Sequence, residues 1–286
     1  MSRVAYVNGT YVPMNEAYVH IDDRGYQFAD GVYEGISVRR GKLVDLEPHL
    51  DRLWRSMQEL RIAPPMERAP MRFILREVVR RNRINDGFIY MQITRGVARR
   101  DHPFPAHSVP AMVVTVKRMD FDASMKRAAE QGVAASSQPD IRWGRCDVKS
   151  TSLLPNILAK QAAREAGAFE AVLVDKDGYV TEGSSTNIWM VTKDGKLVTR
   201  STDDNILPGI TRQSVKKVAE SLQMSIEERK FSLEEVKDAA EMFLTSSTSC
   251  ATPIVVLDGE KIGDGTPGPV AKRLIEAYQA YMDAGA

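Results

Sequence analysis

Ala171-Val172-Leu173-Val174-Asp175-Lys176-Asp177-Gly178-Tyr179-Val180-Thr181-Glu182 decides the fold class. Two apolar runs flank an Asp-Gly pair, and that pair supplies the positive φ angles a tight turn between antiparallel strands requires. The same signal recurs. Asn187 to Val191 and Lys196 to Thr199 flank Asp194-Gly195, Ile254 to Leu257 and Lys261-Ile262 flank Asp258-Gly259, and Val4 to Val7 and Tyr11-Val12 flank Asn8-Gly9. Helical patterns fall irregularly among these hairpins. The expectation is an α+β protein in two parts, not a doubly wound parallel sheet.

Upstream of the opening hairpin lies Arg142-Trp143-Gly144-Arg145-Cys146-Asp147-Val148-Lys149-Ser150. Ile157, Leu158, Ala162 and Ala166 recur at helical spacing and predict a helix from Leu154 to Ala166. Gly167 closes it as a left-handed cap. Lys149 therefore stands just before a helix, on a short segment that should be held firmly. Most lysines are solvated surface residues. One held among packed neighbours can lose its proton and attack a carbonyl, forming a Schiff base. Cys146 reads as a small packed residue.

Toward the N-terminus, the polar, glycine-bearing residues 22–31 read as a loop. They enter a strand, Val32 to Val38, with Val32, Glu34, Ile36 and Val38 on one face and Tyr33 on the other. A helix from Glu47 to Leu60 carries Leu50, Leu53, Trp54, Met57 and Leu60 as its apolar stripe, with Arg52 beside it. His49 opens that helix. A second helix, Met71 to Asn82, is expected to turn Phe73, Ile74 and Val78 inward. Phe88 to Arg95 and Ala111 to Val116 read as strands around a charged, proline-bearing loop, Gly96 to Pro110. The apolar pattern stops over Lys117 to Ala123, which places a boundary near residue 120 and predicts domains 1–120 and 121–286. Beyond it, Gly132 to Ala135 and Met242 to Thr245 read as strands. Helices are expected over Thr211 to Leu222, after the capping box Ser232-x-x-Glu235, and over Pro267 to Tyr281.

Composition narrows the function. The chain has 286 residues, 43% hydrophobic and 27% charged, with a net charge of +1. That balance gives no electrostatic case for nucleic acid or an acidic membrane. Cys146 and Cys250 form neither a metal-ligand spacing nor a disulfide framework, so no metal is expected. The N-terminal residues lack a charged-then-apolar leader and no run approaches a membrane span, so the expected location is cytoplasmic.

Two places offer a phosphate site. Leu207-Pro208-Gly209-Ile210-Thr211 enters a helix at its positive dipole end, where backbone N–H groups face outward. Ser246-Ser247-Thr248-Ser249 follows a strand and offers hydroxyls and amides. Arg52 is a further candidate cation. Glu182, at a strand end, either caps the loop that follows or holds a proton on a ring nitrogen. Beside a Schiff-base lysine and a phosphate cradle, such a carboxylate suits pyridoxal 5′-phosphate, whose electron sink deepens when the pyridine nitrogen is protonated.

At these residues the chain resembles the D-amino-acid transaminases of the fold-type IV, or branched-chain-aminotransferase-like, pyridoxal-phosphate enzymes. The resemblance begins at Asp23-Arg24-Gly25-Tyr26-Gln27-Phe28-Ala29-Asp30-Gly31-Val32-Tyr33-Glu34. It continues through Thr94-Arg95-Gly96, His102, Phe104-Pro105, Asp140 to Ser150 and Thr181-Glu182-Gly183-Ser184-Ser185. Gly209-Ile210-Thr211-Arg212 and Thr245 to Ser249 complete it, in order and over nearly the whole chain. It implies a small N-terminal α/β domain, a larger C-terminal mixed β domain with helices, and a homodimer with the site between the two domains. Lys149 would form the Schiff base and shuttle the proton at Cα. Glu182 would pair with the pyridine nitrogen and Leu207 would pack on the ring. Arg52, the Ile210 and Thr211 amides, and the Ser246-Ser247 pair would bind the phosphate. Tyr33, Arg100 and His102 would trap the substrate carboxylate, the last two from the partner subunit. Amino acids and 2-oxo acids would react by ping-pong kinetics.

Arg99 competes with Arg100 for the clamp, and Asp101 could neutralise either. Ser247 stands where threonine is familiar, with the hydroxyl retained. Tyr33-Glu34-Gly35-Ile36 also resembles branched-chain aminotransferases. The rivals are therefore a branched-chain L-amino-acid or R-amine transaminase, an aminodeoxychorismate lyase of the same fold, and a non-enzymatic binding or structural domain.

Overall fold

A computed structural model describes residues 3–202 and 205–285. The chain divides into two compact units, residues up to Asp120 with Val148–Ser152, and Phe121–Asp147 with Leu153–Ala284. The lysine-bearing segment Val148–Ser152 thus belongs with the first unit, which a division into two contiguous stretches does not provide for.

The first unit runs β1 (Val4–Val7), β2 (Thr10–Pro13), α1 (Arg24–Phe28), β3 (Gly31–Arg39), β4 (Lys42–Leu43), α2 (Leu46–Glu59), α3 (Arg68–Asn82), β5 (Gly87–Thr94) and β6 (Ala111–Arg118). Its six-stranded sheet has the order β2-β1-β6-β5-β3-β4, antiparallel throughout. The β1–β2 hairpin pairs Val7 with Thr10 across Asn8 and Gly9, both at positive φ, as the Asn-Gly pair predicts. Val32, Ile36 and Val38 of β3 join Leu50, Leu53 and Met57 of α2 in one core.

Two local expectations fail in this unit. The loop expected over residues 22–31 contains α1, because the Asp23 side chain caps it by accepting from Gly25 N at 2.8 Å. Phe73 of α3 is 65% exposed, and the buried face is Met71, Ile74, Leu75, Val78 and Val79. Those residues recur at i, i+3, i+4, i+7 and i+8, whereas Phe73 lies off that stripe.

The second unit contains α4 (Phe121–Gln131), β7 (Val133–Pro139), α5 (Leu154–Glu165), β8 (Glu170–Val174), β9 (Val180–Gly183), β10 (Asn187–Val191), β11 (Leu197–Thr199), α6 (Ile210–Ser221), β12 (Ile226–Glu228), α7 (Leu233–Lys237), β13 (Glu241–Ser246), β14 (Cys250–Leu257), β15 (Glu260–Lys261) and α8 (Pro269–Gly285). Its nine-stranded sheet runs β12-β11-β10-β13-β14-β7-β8-β9, with β15 on β14. It is mixed: β7 is parallel to both β8 and β14, β12 is parallel to β11, and the hairpins read from Asp-Gly pairs are antiparallel. The protein is α+β, with two sheets.

The sequence pattern misses α4 and β12. Of α4 only Phe121, Met125 and Ala128 are buried, a sparse stripe amid charge. On α5 the bulky residues whose spacing marks the helix do not face inward. Ile157 and Leu158 are 59% and 54% exposed, while Ala159 and Ala163 pack on Ala171 and Leu173 of β8. Small residues let the helix approach the sheet closely, so the bulkier side chains are turned out. Ser232 does cap α7, accepting from Glu235 N at 3.1 Å. Among the described residues no helix is long and apolar enough to cross a membrane.

Candidate active site

In the first unit, Lys149 is held as the sequence suggests, and its support is β3. The Tyr33 amide donates to the Lys149 carbonyl at 3.0 Å, Thr151 N donates to Gly31 O at 3.0 Å, and Val32 bridges Ser150. Thr151 Oγ1 donates to Ala29 O at 2.8 Å, and Lys149 N donates to Ser56 Oγ on α2 at 3.3 Å. Val148 is buried in the core beneath. This strapping points the Lys149 side chain at Tyr33: Nζ lies 3.3 Å from the phenol oxygen and 4.3 Å from the ring centroid. Tyr90 stands 5.7 Å from Tyr33, ring to ring, and its own hydroxyl is pushed up to about 12 by burial and then by the neighbouring phenol.

On the opposite face of β3, Glu34 is fully buried and takes Arg52 as a fork, Nε to Oε1 and Nη2 to Oε2, both at 2.8 Å. His49 Nδ1 lies 2.7 Å from Glu34 Oε2. Burial pushes Glu34 up, but Arg52 and then His49 outweigh it and hold the carboxyl at about 2. Burial lowers the His49 pKa more than Glu34 raises it. Since an ionised carboxylate only accepts, His49 Nδ1 carries a proton toward Glu34. Arg52 is thus not the solvated arginine that its place beside the apolar stripe allows.

Arg100 and His102 lie on the loop between β5 and β6. The Arg100 guanidinium sits 5.1 Å from the Phe28 ring centroid and the His102 ring 5.6 Å from it. Among the described residues neither bonds to nor stacks on Tyr33 or Lys149 of the same chain, and Asp101 pairs with neither Arg99 nor Arg100. The Asp101 carboxylate accepts from His102 N at 2.8 Å and fixes the loop instead.

The loop is anchored by residues to which the sequence reading assigned no task. Arg24, buried in α1, reaches the carbonyls of Asp101 at 2.6 Å, His102 at 3.3 Å and Pro103 at 3.4 Å. Asp30 holds Arg24 at 2.8 Å and Arg95 as a fork at 2.8 and 2.9 Å. Burial raises the Asp30 pKa, but the two arginines outweigh it and keep the carboxyl low. Much of the Asp23-to-Gly31 motif is therefore scaffolding.

In the second unit, Glu182 lies near the end of β9 with both oxygens engaged. Oε1 accepts from Asn187 Nδ2 at 2.8 Å and from Leu207 N at 3.0 Å, and Oε2 accepts from Arg142 Nη1. Asn187 Nδ2 also donates to Leu207 O at 3.0 Å. Its Oδ1 leaves no room for a side chain at Gly209, where a Cβ would lie 2.1 Å away. Gly209 is the N-cap of α6, whose first residues Ile210 and Thr211 are buried. Thr211 Oγ1 meets Ser247 Oγ at 3.4 Å, and Ser246 Oγ lies 3.3 Å from Thr248 Oγ1. The two stretches read separately as phosphate sites thus converge, a helix N-terminus with hydroxyls beside it.

A model for class IV aminotransferases matches residues 31–257. The chain belongs to the class IV aminotransferases. It is 38% identical to a D-alanine aminotransferase of Staphylococcus haemolyticus, covering 99% of each chain, and 40% identical to one of Bacillus licheniformis, covering 95% of this chain and 94% of that one. A solved branched-chain amino acid aminotransferase of Escherichia coli superposes with a TM-score of 0.91 at 26% identity. That match covers 99% of this chain and 95% of the other. The fold is accordingly that of the fold-type IV enzymes.

Proposed function

We propose that the chain is a pyridoxal-phosphate-dependent transaminase that moves the amino group of D-amino acids, D-alanine among them, to 2-oxo acids such as 2-oxoglutarate. The observation that carries this reading is the likeness to D-alanine aminotransferases, at 38–40% identity over almost the whole chain. The branched-chain enzyme of shared fold stands at 26%.

The donor set of this structure fits the cofactor. The Ile210 and Thr211 amides at a helix N-terminus, with the Ser246 and Ser247 hydroxyls beside it, suit its phosphate. Leu207 would pack against its ring, and Glu182 would face its ring nitrogen. When bound, the cofactor supplies the electron sink for charge developing at Cα.

Lys149 would hold it covalently and would serve as the base that takes the Cα proton and returns it. The strapping to β3 and the Tyr33 hydroxyl at 3.3 Å restrict where its amine can stand. Tyr33, Arg100 and His102 hold the substrate carboxylate. Two copies associate in the cytoplasm, and Arg100 and His102 of each serve the other's substrate. Clamping the carboxylate on one side presents the Cα–H bond of one enantiomer to Lys149.

The test is to load the purified protein with pyridoxal phosphate, add 2-oxoglutarate, and offer D-alanine, L-alanine or L-leucine in turn. D-Alanine should change the visible spectrum and release pyruvate while the L-acids do nothing, and Lys149→Ala should lose turnover. A response to L-leucine alone would move the protein to the branched-chain group. A protein that takes up no pyridoxal phosphate would sink the reading.

A further inference from the structure

We propose that Arg142, locked by Asp140, is a positioning residue that fixes the plane of the Glu182 carboxylate toward the cofactor's ring nitrogen, an assignment that rests on the pyridoxal-phosphate reading above. Arg142 is divided between two carboxylates. Its Nε and Nη2 fork onto Asp140 at 2.9 and 2.7 Å, which leaves Nη1 directed at Glu182 Oε2. Asp140 is itself pinned. Its backbone N donates to Val174 O at 2.8 Å, and its Oδ2 accepts from Thr181 Oγ1 at 2.6 Å. Arg142 Nη2 adds a bond to Asn205 O at 3.1 Å. The guanidinium plane is set before Glu182 meets it.

The side chains of Asp140, Arg142 and Glu182 are 11%, 7% and 5% exposed. Together they carry one positive and two negative charges. The Cys146 thiol beside them is pushed up by burial to about 11 and adds no charge, while Arg212, which shares Glu228 with Lys216, adds its attraction to Glu182. Burying such a charged cluster costs more than burying an apolar one, so stability alone does not account for it.

Arg142 acts more strongly on Glu182, which it touches, than on a ring nitrogen beyond the carboxylate. The Glu182 carboxylate accepts from a guanidinium, an amide side chain and a backbone N–H, and those fixed donors set its plane. Without Arg142, the guanidinium bond that orients Oε2 would be lost.

The experiment compares two cofactors on the whole protein. Binding of pyridoxal phosphate and of its 1-deaza analogue, whose ring nitrogen is a C–H group, is measured by fluorescence titration for wild type, Arg142→Met and Asp140→Asn. If Arg142 acts through the Glu182–nitrogen contact, the wild-type preference for pyridoxal phosphate over the analogue falls about tenfold in Arg142→Met, the worth of one charge-assisted hydrogen bond. Asp140→Asn keeps the guanidinium but loosens its lock, lowers the same ratio by less, and carries the test if Arg142→Met does not fold. A merely structural Arg142 would weaken both cofactors equally, leave the ratio unchanged, and overturn the proposal. If wild type itself fails to prefer pyridoxal phosphate, the fault lies in the Glu182 assignment, not in Arg142.

Discussion

Glu34→Gln removes one negative charge from beneath Arg52 and His49 while keeping the side chain's shape. The wild-type carboxyl is held from 4.5 down to about 2, against its own burial. Each tenfold change in proton affinity is worth about 1.4 kcal/mol, so this coupling stabilises the folded protein by about 3 kcal/mol at neutral pH. Removing one partner of a buried pair costs about 3–5 kcal/mol by direct comparison with other proteins, which agrees.

The sign follows from the direction of the shift. A depressed carboxyl contributes stability that is full above 4.5 and fades as pH falls toward 2, so roughly 1 kcal/mol remains at pH 3. The assay is urea unfolding of both proteins at pH 7 and at pH 3, with thermal unfolding beside it. Glu34→Gln should cost about 3 kcal/mol at pH 7, or roughly 6–12 °C in Tm, and distinctly less at pH 3. A cost under about 1 kcal/mol at pH 7, or one that does not shrink on acidification, would refute the assigned ionisation of this triad.

The other expectations are simpler. Gly209→Ala has ordinary φ but no room beside Asn187 Oδ1, so it should displace Asn187, cost about 1–3 kcal/mol, and raise the dissociation constant for pyridoxal phosphate in a titration. Met71→Ala should cost about 2–5 kcal/mol in chemical denaturation, while Phe73→Ser on the same helix should stay within about 0.5 kcal/mol. Both thiols are buried, with pKa values of about 11 for Cys146 and about 12 for Cys250, so neither should react with a thiolate-specific reagent at pH 8 until the protein unfolds.

What could be read from the residues was mostly local. The hairpins at Asn8-Gly9, Asp177-Gly178, Asp194-Gly195 and Asp258-Gly259 announce themselves because their turns need backbone angles few residues adopt. The alternation of residues in β3 by itself places Tyr33 and Glu34 on opposite faces. The side of a helix that faces a sheet was less legible. Hydrophobicity ranks Ile157 and Leu158 above Ala159 and Ala163, yet close packing on β8 favours the alanines.

Charged partners were the least legible. Glu34 lies 18 residues from Arg52, and Arg142 lies 40 residues from Glu182. Nothing in local spacing joins them. Arg24, Asp30 and Arg95 lie within the motifs that carry the resemblance, but their task, holding the loop that carries Arg100 and His102, is visible only in the fold.

The register of β3 has a consequence for how this protein can vary. Tyr33 faces Lys149 and Glu34 faces Arg52 because they are consecutive residues of one strand. Substitutions can adjust either task separately. Inserting or deleting a single residue between Gly31 and Val38 would exchange the two faces, placing a carboxylate beside the lysine and a phenol beneath the arginine. Chain length in this strand is thus under tighter constraint than side-chain identity. An insertion library should find the exposed Ala106 and His107, beyond the anchored part of the clamp loop, far more permissive than these few residues.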